Sequence, residues 1–286
     1  MKSEKIAKMV LVLMAASILI SCSRIDSSTG PANNSLYNRV LRSGKMRAAY
    51  AVYPPFCMRD PNTGAMSGIG VEALELIAKK LGLTIEYTEE VGWGSVIEGL
   101  QTNRYDIFAC PGWTNPRRAR IASFSKPLCY QPVFAYARND DQRFARLENI
   151  NSSSITTSSI DGTTEDLIAQ TDFPNAKHLT MPQLTDISQN FLNVTSKKAD
   201  VVIAEPGFAS RFLKTNPGTI KNLDSLSPLR IYPMCWILKK GEFEFKAMLD
   251  TVLDEIINSG EMERLIRKYE PNKNAIFLVA KPYSVR

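Results

Sequence analysis

Five side chains that could bind a small charged molecule each follow a short predicted strand. Tyr53, Phe56, Trp93 and Trp113 offer aromatic faces, and Arg118 offers a planar guanidinium group. An aromatic face stacks on a flat group or a cation, whereas a guanidinium group binds a carboxylate through parallel N–H groups. Ligands of parallel sheets lie beyond the carboxyl ends of the strands. We therefore expect these five side chains to converge on one ligand cleft.

The elements that would position these side chains alternate between strand and helix. Residues 70–81 form an amphipathic helical pattern that stops at Gly82, and residues 95–102 form a second one. The predicted strands of the first half are residues 46–50, 84–91, 106–110 and 128–138. Strands and helices that alternate with short links are typical of βαβ units. The sequence therefore predicts an α/β fold with a largely parallel sheet.

The second half of the chain repeats this alternation. Its predicted strands are residues 154–160, 177–181, 200–205 and 229–238. Its predicted helices are one from residue 163, then 185–197, 206–215, 242–258 and 261–269. In the helix 242–258 the apolar side chains recur at helical spacing, which predicts a buried face; they are Phe245, Leu249, Val252, Leu253 and Ile256.

Several short motifs occur in a fixed order along the chain. They are Tyr53-Pro-Pro-Phe56, Gly68-Ile-Gly-Val-Glu72, Asn115-Pro-Arg-Arg118, Phe124-Ser-Lys-Pro127, Gly162-Thr-Thr-Glu165, Ala199-Asp-Val-Val-Ile-Ala-Glu205 and Trp236-Ile-Leu-Lys-Lys-Gly241. In this order they resemble the bacterial solute-binding proteins of family 3, which deliver polar amino acids to ABC transporters. The resemblance covers residues 37–270.

The resemblance implies a periplasmic-binding-protein-like II fold. In that fold two lobes, each a mixed sheet flanked by helices, are joined by two crossover strands and close on a ligand like a hinge. The implied boundaries are residues 37–136 with 233–270 for the first lobe and 137–232 for the second. Residues 271–286 form a tail beyond the family pattern, and the sequence assigns it no role.

The resemblance also implies how the two ends of an amino acid would be held. Arg118 matches the family residue that binds the ligand carboxylate. Thr163 and Thr164 open a helix whose backbone N–H groups would assist it, although either threonine could instead cap the helix. Glu205 matches an acid, usually aspartate, that accepts the ligand ammonium group. Tyr53 matches one of the two family positions that enclose the ligand, and Trp93 matches the other.

Three positions depart from the family pattern. Tyr50 stands where the family has an acid, Trp113 stands where it has serine or threonine, and Asn115 replaces threonine. These changes make the predicted cleft more aromatic and less acidic. They favour an amino acid with an aromatic or cationic side chain over aspartate or glutamate. Phe56, which follows two prolines, is expected to support the core.

The N-terminal sequence predicts export. Lys2, Lys5 and Lys8 precede an apolar run at 9–20, which is shorter than the roughly 20 residues that a membrane-spanning helix needs. The run ends in Leu19-Ile-Ser-Cys22, which resembles a lipoprotein cleavage site. We expect residues 1–21 to be a signal peptide, Cys22 to be acylated and residues 22–36 to form a flexible tether. A cleaved signal without lipid is the alternative, and the sequence does not choose between inner and outer membrane.

Composition argues against several other classes of protein. The net charge of +6 is modest, and the sequence contains no block of basic residues, so no nucleic-acid site is expected. One histidine, His178, gives no basis for a serine triad, and the cysteines match no zinc pattern, so no metal or cofactor is expected. Cys57, Cys110, Cys129 and Cys235 could form a disulfide after export, or they could be buried thiols.

Two other functions fit the same fold. Cyclohexadienyl dehydratases resemble this family and eliminate water and carbon dioxide from prephenate or arogenate; an arginine and a buried carboxylic acid would serve that chemistry. A lipid-anchored sensor module would present the ligand to a receptor.

The main expectation is a monomeric binding protein that delivers its ligand to ABC permease subunits. A permease and an ATPase encoded beside this gene would favour transport over sensing.

Overall fold

The computed structural model describes residues 35–182, 185–270 and 275–279. The predicted signal peptide, Cys22 and nearly all of the tether lie outside the described residues. The first part of the chain contains α1 (Leu36–Ser43), β1 (Lys45–Tyr50), β2 (Met58–Arg59), β3 (Met66–Ser67), α2 (Ile69–Lys80), β4 (Thr84–Glu90), α3 (Val96–Gln101), β5 (Ile107–Trp113), α4 (Pro116–Ala119), β6 (Ala122–Phe124) and β7 (Cys129–Arg138).

The second part begins with a 3₁₀ helix (Leu147–Ile150). It continues with β8 (Thr156–Ile160), α5 (Thr164–Asp172), β9 (Lys177–Met181), α6 (Ser188–Thr195), β10 (Val201–Ala204), α7 (Pro206–Thr215) and β11 (Ile220–Asn222). The chain then returns through β12 (Arg230–Lys239), followed by α8 (Phe243–Asn258) and α9 (Glu261–Tyr269).

The strands of both lobes form one hydrogen-bonded path in the order β4-β1-β5-β12-β7-β10-β8-β9. In the first lobe β1 runs parallel to β4 and β5, and in the second β8 runs parallel to β9 and β10. The two long strands β7 and β12 lie antiparallel between these groups. The architecture is therefore the expected two-lobe α/β fold with two crossover strands, and the two lobe sheets are continuous through the crossover pair.

The first-lobe core lies between the sheet and the helices α2, α8 and α9. Phe245, Leu249, Leu253 and Ile256 are fully buried, which confirms the apolar face predicted for residues 242–258. Trp236 of β12 is buried beneath this layer and donates its indole N–H to the Ala109 carbonyl at 3.1 Å. The return strand is thereby fixed to β5, which leads to Trp113.

Helix α2 approaches β5 closely because residue 70 has no side chain. A Cβ atom on Gly70 would lie 2.2 Å from Cδ of Pro111, well inside van der Waals contact. Glu72 lies in the first turn of α2 and Lys79 and Lys80 in the last, as the helix dipole favours. The predicted helix 70–81 is therefore confirmed within one residue at each end.

Several short elements lack a strong sequence signal. Helix α1 begins at Leu36, which is the last residue of the predicted tether, and Ser35 is its N-cap. The strands β2, β3, β6 and β11 have only two or three residues each, too few for a periodic pattern. Among the described residues no helix combines the length and the apolar character needed to cross a membrane.

Candidate functional site

Two side chains that are far apart in the sequence meet where the lobes face each other. Tyr53 lies on a turn closed by paired backbone hydrogen bonds with Cys57, of 2.7 and 3.0 Å. Glu205 follows β10 directly and precedes Pro206, the first residue of α7. The Tyr53 hydroxyl group donates a hydrogen bond to Oε1 of Glu205. The contact joins the first lobe to the second.

The carboxyl group of Glu205 is only half satisfied. The residue is 1% exposed, and within the described part of the chain its Oε2 atom has no hydrogen-bond partner. Burial raises the pKa of Glu205 to about 7, although the hydrogen bond from Tyr53 opposes the rise. Burial therefore disfavours the carboxylate form, and an incoming cation would favour it.

Aromatic rings surround Tyr53 on three sides. Its ring centroid lies 5.6 Å from that of Trp93 and 5.7 Å from that of Phe208, both in edge-to-face geometry. Phe56 stacks beneath it at 5.9 Å and is fully buried, as a core residue. A Cβ atom on residue 112 would lie 3.1 Å from Cζ3 of Trp93, so Gly112 leaves the space that the indole occupies.

Arg118 reaches the same cleft from α4. Asn115 caps this helix by accepting a hydrogen bond from the backbone N–H of Arg118 at 2.9 Å. The guanidinium carbon lies 6.0 Å from the ring centroid of Trp93, and Nη1 donates to the carbonyl oxygen of Trp113 at 3.4 Å. Burial lowers the pKa of Arg118, and the nearby charge of Glu165 opposes this. A desolvated guanidinium group of this kind is suited to binding an anion.

Trp113 is held from two directions. Its ring stacks on Tyr232 of β12 with centroids 4.9 Å apart and an interplanar angle of 14°. Its indole N–H donates to Oε1 of Gln131 in β7 at 2.9 Å. Both partners belong to the crossover strands, so Trp113, whose carbonyl oxygen accepts from Arg118, is fixed to the strands that connect the lobes.

Glu165 is a second acid near Glu205 and Arg118, and the sequence pattern does not single it out. It lies in the first turn of α5, where acids commonly interact with the helix dipole, so its position alone gave no functional signal. Burial in the cleft raises the pKa of Glu165 to about 8, and the charge of Glu205 adds to the rise. Arg118 acts in the opposite direction. Glu165 and Glu205 therefore interact with each other, the first also with Arg118 and the second also with Arg211.

The remaining predicted site residues occupy different positions. Thr163 caps α5 by accepting from the Asp166 N–H at 3.2 Å, whereas Thr164 is a buried first residue of the helix. The capping role thus falls to Thr163. Tyr50 packs edge-on against Tyr87 at 6.3 Å and belongs to the buried apolar cluster against which Tyr53 and Trp93 also pack. A ligand role for these residues stays a prediction.

A further contact crosses between the lobes beside Tyr53. Nη2 of Arg211 in α7 donates to the carbonyl oxygen of Pro54 at 3.2 Å. The same guanidinium group lies over the ring of Phe208, 5.0 Å from its centroid. Phe208 and Arg211 were not selected from the sequence, because an apolar and a basic residue on an amphipathic helix are ordinary. The lobes are in direct contact here.

Other residues considered for chemistry have structural surroundings. His178 lies in β9 and shares a hydrogen bond of 2.8 Å with the Thr157 hydroxyl group. Cys57, Cys110, Cys129 and Cys235 are buried free thiols. Within the described ranges no cluster of three histidine, cysteine or acidic residues could hold a metal ion.

Comparison with known proteins identifies the class. The family model of the bacterial extracellular solute-binding proteins, family 3, matches residues 46–272. The chain belongs to this family.

Individual relatives match less of the chain. A probable amino-acid ABC transporter-binding protein of Haemophilus influenzae is 30% identical over 34% of this chain and 37% of its own length. The cyclohexadienyl dehydratase of Pseudomonas aeruginosa is 26% identical over 63% of this chain and 66% of its own length. In both cases the match spans less than two thirds of the relative.

Among solved structures, the fold is similar to that of an ancestral amino acid-binding protein described as a precursor of cyclohexadienyl dehydratase. The TM-score is 0.69 at 22% identity, and the match covers 82% of this chain and 99% of that one. This similarity supports the fold.

The raised pKa of Glu205 predicts a specific pH dependence of stability. A carboxyl group with a higher pKa in the folded state binds more protons when folded, so the free energy of unfolding falls as pH rises from about 5 to 8. Glutamine does not titrate, so Glu205→Gln removes this pH-dependent fall. Its free energy of unfolding should rise relative to that of wild type by up to about 3 kcal/mol across that pH range. Urea unfolding at a series of pH values measures it. Glu148→Gln, which removes an exposed carboxylate, is the control. If the difference in unfolding free energy between Glu205→Gln and wild type does not change with pH, the pKa of Glu205 is not raised.

Proposed function

We propose that this protein is the substrate-binding component of an ABC transporter and that it holds an amino acid between its two lobes. The family membership and the amino-acid-binding relatives support this proposal. The observation that carries it is the half-satisfied, buried carboxyl group of Glu205 in the same aromatic cleft as the desolvated Arg118. A buried polar atom without a partner is costly, and a ligand that supplies the partner removes that cost.

The two ends of an amino acid match the two ends of this site. The ligand carboxylate would pair with Arg118, assisted by the backbone N–H groups at the start of α5. The ligand ammonium group would donate to Oε2 of Glu205, whose other oxygen already accepts from Tyr53. Burying either ligand charge without such a partner would cost several kcal/mol. The site thus recognises the zwitterion by complementary charges.

The charge of the cleft also favours one kind of side chain. The charge of Arg211 acts on Glu205, whereas the charge of Arg118 only partly opposes the burial that raises the pKa of Glu165. A cationic ligand side chain would favour the ionised form of Glu165 and can lie against Tyr53 and Trp93 through cation–π contact. An aromatic side chain would use the same rings but would leave Glu165 protonated. We therefore place a cationic amino acid first and an aromatic one second.

Closure of the lobes would complete the site. Strands β7 and β12 connect the lobes and would act as the hinge. Two contacts join the lobes, from Tyr53 to Glu205 and from Arg211 to Pro54, and in this proposal they would form on closure. In the proposed cycle the permease recognises this arrangement, which encloses the amino acid.

Removing the cation at Arg118 should abolish most of the affinity. Arg118→Ala leaves the ligand carboxylate buried without its partner, so binding should weaken by about 2–5 kcal/mol. Arg117→Ala, which removes the exposed neighbouring charge, should change affinity little and is the matched control. Calorimetry with the amino acid that most raises the thermal midpoint of wild type measures both. Equal dissociation constants for Arg118→Ala and wild type would refute the proposed carboxylate site.

We also propose that the mature protein is exported and anchored by lipid on Cys22, since Leu19-Ile-Ser-Cys22 follows a short apolar run. Cys22→Ala should release the protein from the membrane fraction. Cys57→Ala, which alters a different cysteine, should leave it there. Fractionation followed by a high-salt wash tests this. If Cys22→Ala still sediments with membranes after the wash, the anchor lies elsewhere.

A second candidate function is a cyclohexadienyl dehydratase. It is favoured by the pKa values of about 7 for Glu205 and about 8 for Glu165, because an acid that is protonated near neutral pH can donate a proton to a leaving hydroxyl group. Similarity to the Pseudomonas aeruginosa dehydratase also supports it. Production of phenylpyruvate from prephenate by the purified protein, lost in Glu205→Gln, would establish this function over binding alone.

A further inference from the structure

The C-terminal residues beyond the family match are docked on the body of the protein. The family model ends at residue 272, and residues 275–279, which we call the C-terminal strap, follow it. Ala275 and Ile276 are 4% and 3% exposed. The backbone N–H of Ile276 donates to Oε1 of Glu270 at 3.1 Å. The strap is therefore held by both burial and a specific hydrogen bond.

The strap pairs with a crossover strand. Phe277 and Tyr130 exchange two backbone hydrogen bonds of 2.8 Å in an antiparallel bridge. Tyr130 lies opposite Pro233 of β12, on the other edge of β7. Strand β10 pairs with β7 only from Phe134 onwards. Phe277 thus satisfies the backbone groups of β7 at a position before β10 begins.

The residue after Tyr130 connects this bridge to the ligand cleft. Gln131 is 4% exposed and accepts the indole N–H of Trp113 at 2.9 Å. The carbonyl oxygen of Trp113 accepts from Arg118. An uninterrupted series of contacts therefore runs from Phe277 through Tyr130, Gln131 and Trp113 to the guanidinium group.

We propose that the C-terminal strap is a positioning element of the ligand site. By fixing the backbone of Tyr130, it fixes the direction of the Gln131 side chain, which in turn holds Trp113 and the carbonyl group that orients Arg118. The consequence for affinity rests on the proposed function, whereas the consequence for the surroundings of Trp113 does not. A strap that only braced the fold would affect stability and leave Trp113 undisturbed.

The test compares variants of the full-length chain that differ at the bridge. Phe277→Pro removes the N–H group that donates to Tyr130, while Phe277→Ala keeps both backbone hydrogen bonds. Val279→Pro introduces proline at an exposed strap residue outside the bridge. Ile276→Ala loosens the strap by a milder change and serves if Phe277→Pro folds poorly. Gln131→Leu breaks the contact to Trp113 directly.

The first measurement needs no ligand. Near-ultraviolet circular dichroism at 25 °C reports the stacked Trp113–Tyr232 pair, and Trp113→Phe gives the part of the signal that belongs to Trp113. Phe277→Pro and Gln131→Leu should lose the same part of the signal, and the double variant should lose no more. Phe277→Ala and Val279→Pro should retain it. If Phe277→Pro, or Ile276→Ala in its place, lowers the thermal midpoint but leaves the Trp113 signal unchanged, the strap only stabilises the fold and the proposal is wrong.

The second measurement is the dissociation constant for L-arginine. Phe277→Pro and Gln131→Leu should each weaken binding by about 3- to 10-fold, the effect of losing one ordinary hydrogen bond, with no further loss in the double variant. Additive losses would contradict the proposal. If wild type does not bind L-arginine, arginine is not the ligand, and the spectroscopic result alone decides the role of the strap.

Discussion

The burial of one carboxyl group, that of Glu205, is the constraint on which this structure depends. A carboxylate without water requires compensating donors, and the fold provides one from Tyr53, on the opposite lobe. That single bond requires the lobes to be in contact, which brings Phe208 and Arg211 against the Tyr53 turn. The second oxygen has no hydrogen-bond partner among the described residues. In the proposed function, lobe contact and ligand binding would use the two oxygens of one side chain.

Other residues of the cleft hold a second charged group, the guanidinium group of Arg118. Asn115 fixes the start of the helix that carries Arg118, and Gly112 leaves room for the indole beneath its guanidinium group. Tyr232 and Gln131 hold Trp113 from the crossover strands. The desolvation that lowers the pKa of Arg118 also raises the pKa of Glu165 and Glu205. The same burial would therefore serve either of the two proposed functions, amino-acid binding or acid catalysis.

The sequence predicted those parts of the molecule that depend on local periodicity and on motif order. The buried face of α8 follows from apolar residues at helical spacing, and the convergence of Tyr53, Trp93 and Arg118 follows from their places after strands. Glu165 and Phe208 could not be found in this way, because each has an ordinary place on an amphipathic helix. Tyr50 packs on Tyr87, and its place beside the ligand stays a prediction. The contact between Phe277 and Tyr130 joins residues far apart in the chain, and no local pattern encodes it.

Binding of chemically matched ligands tests the central claim most directly. Calorimetry should compare the L-amino acid that gives the largest thermal shift with its decarboxylated amine and with its N-acetyl derivative. Arg118 and Glu205 each recognise one end of the zwitterion in this account, so both derivatives should bind at least tenfold more weakly, a difference of about 1.4 kcal/mol. Equal affinity for the decarboxylated amine or for the N-acetyl derivative, or the absence of binding by any amino acid, would contradict it.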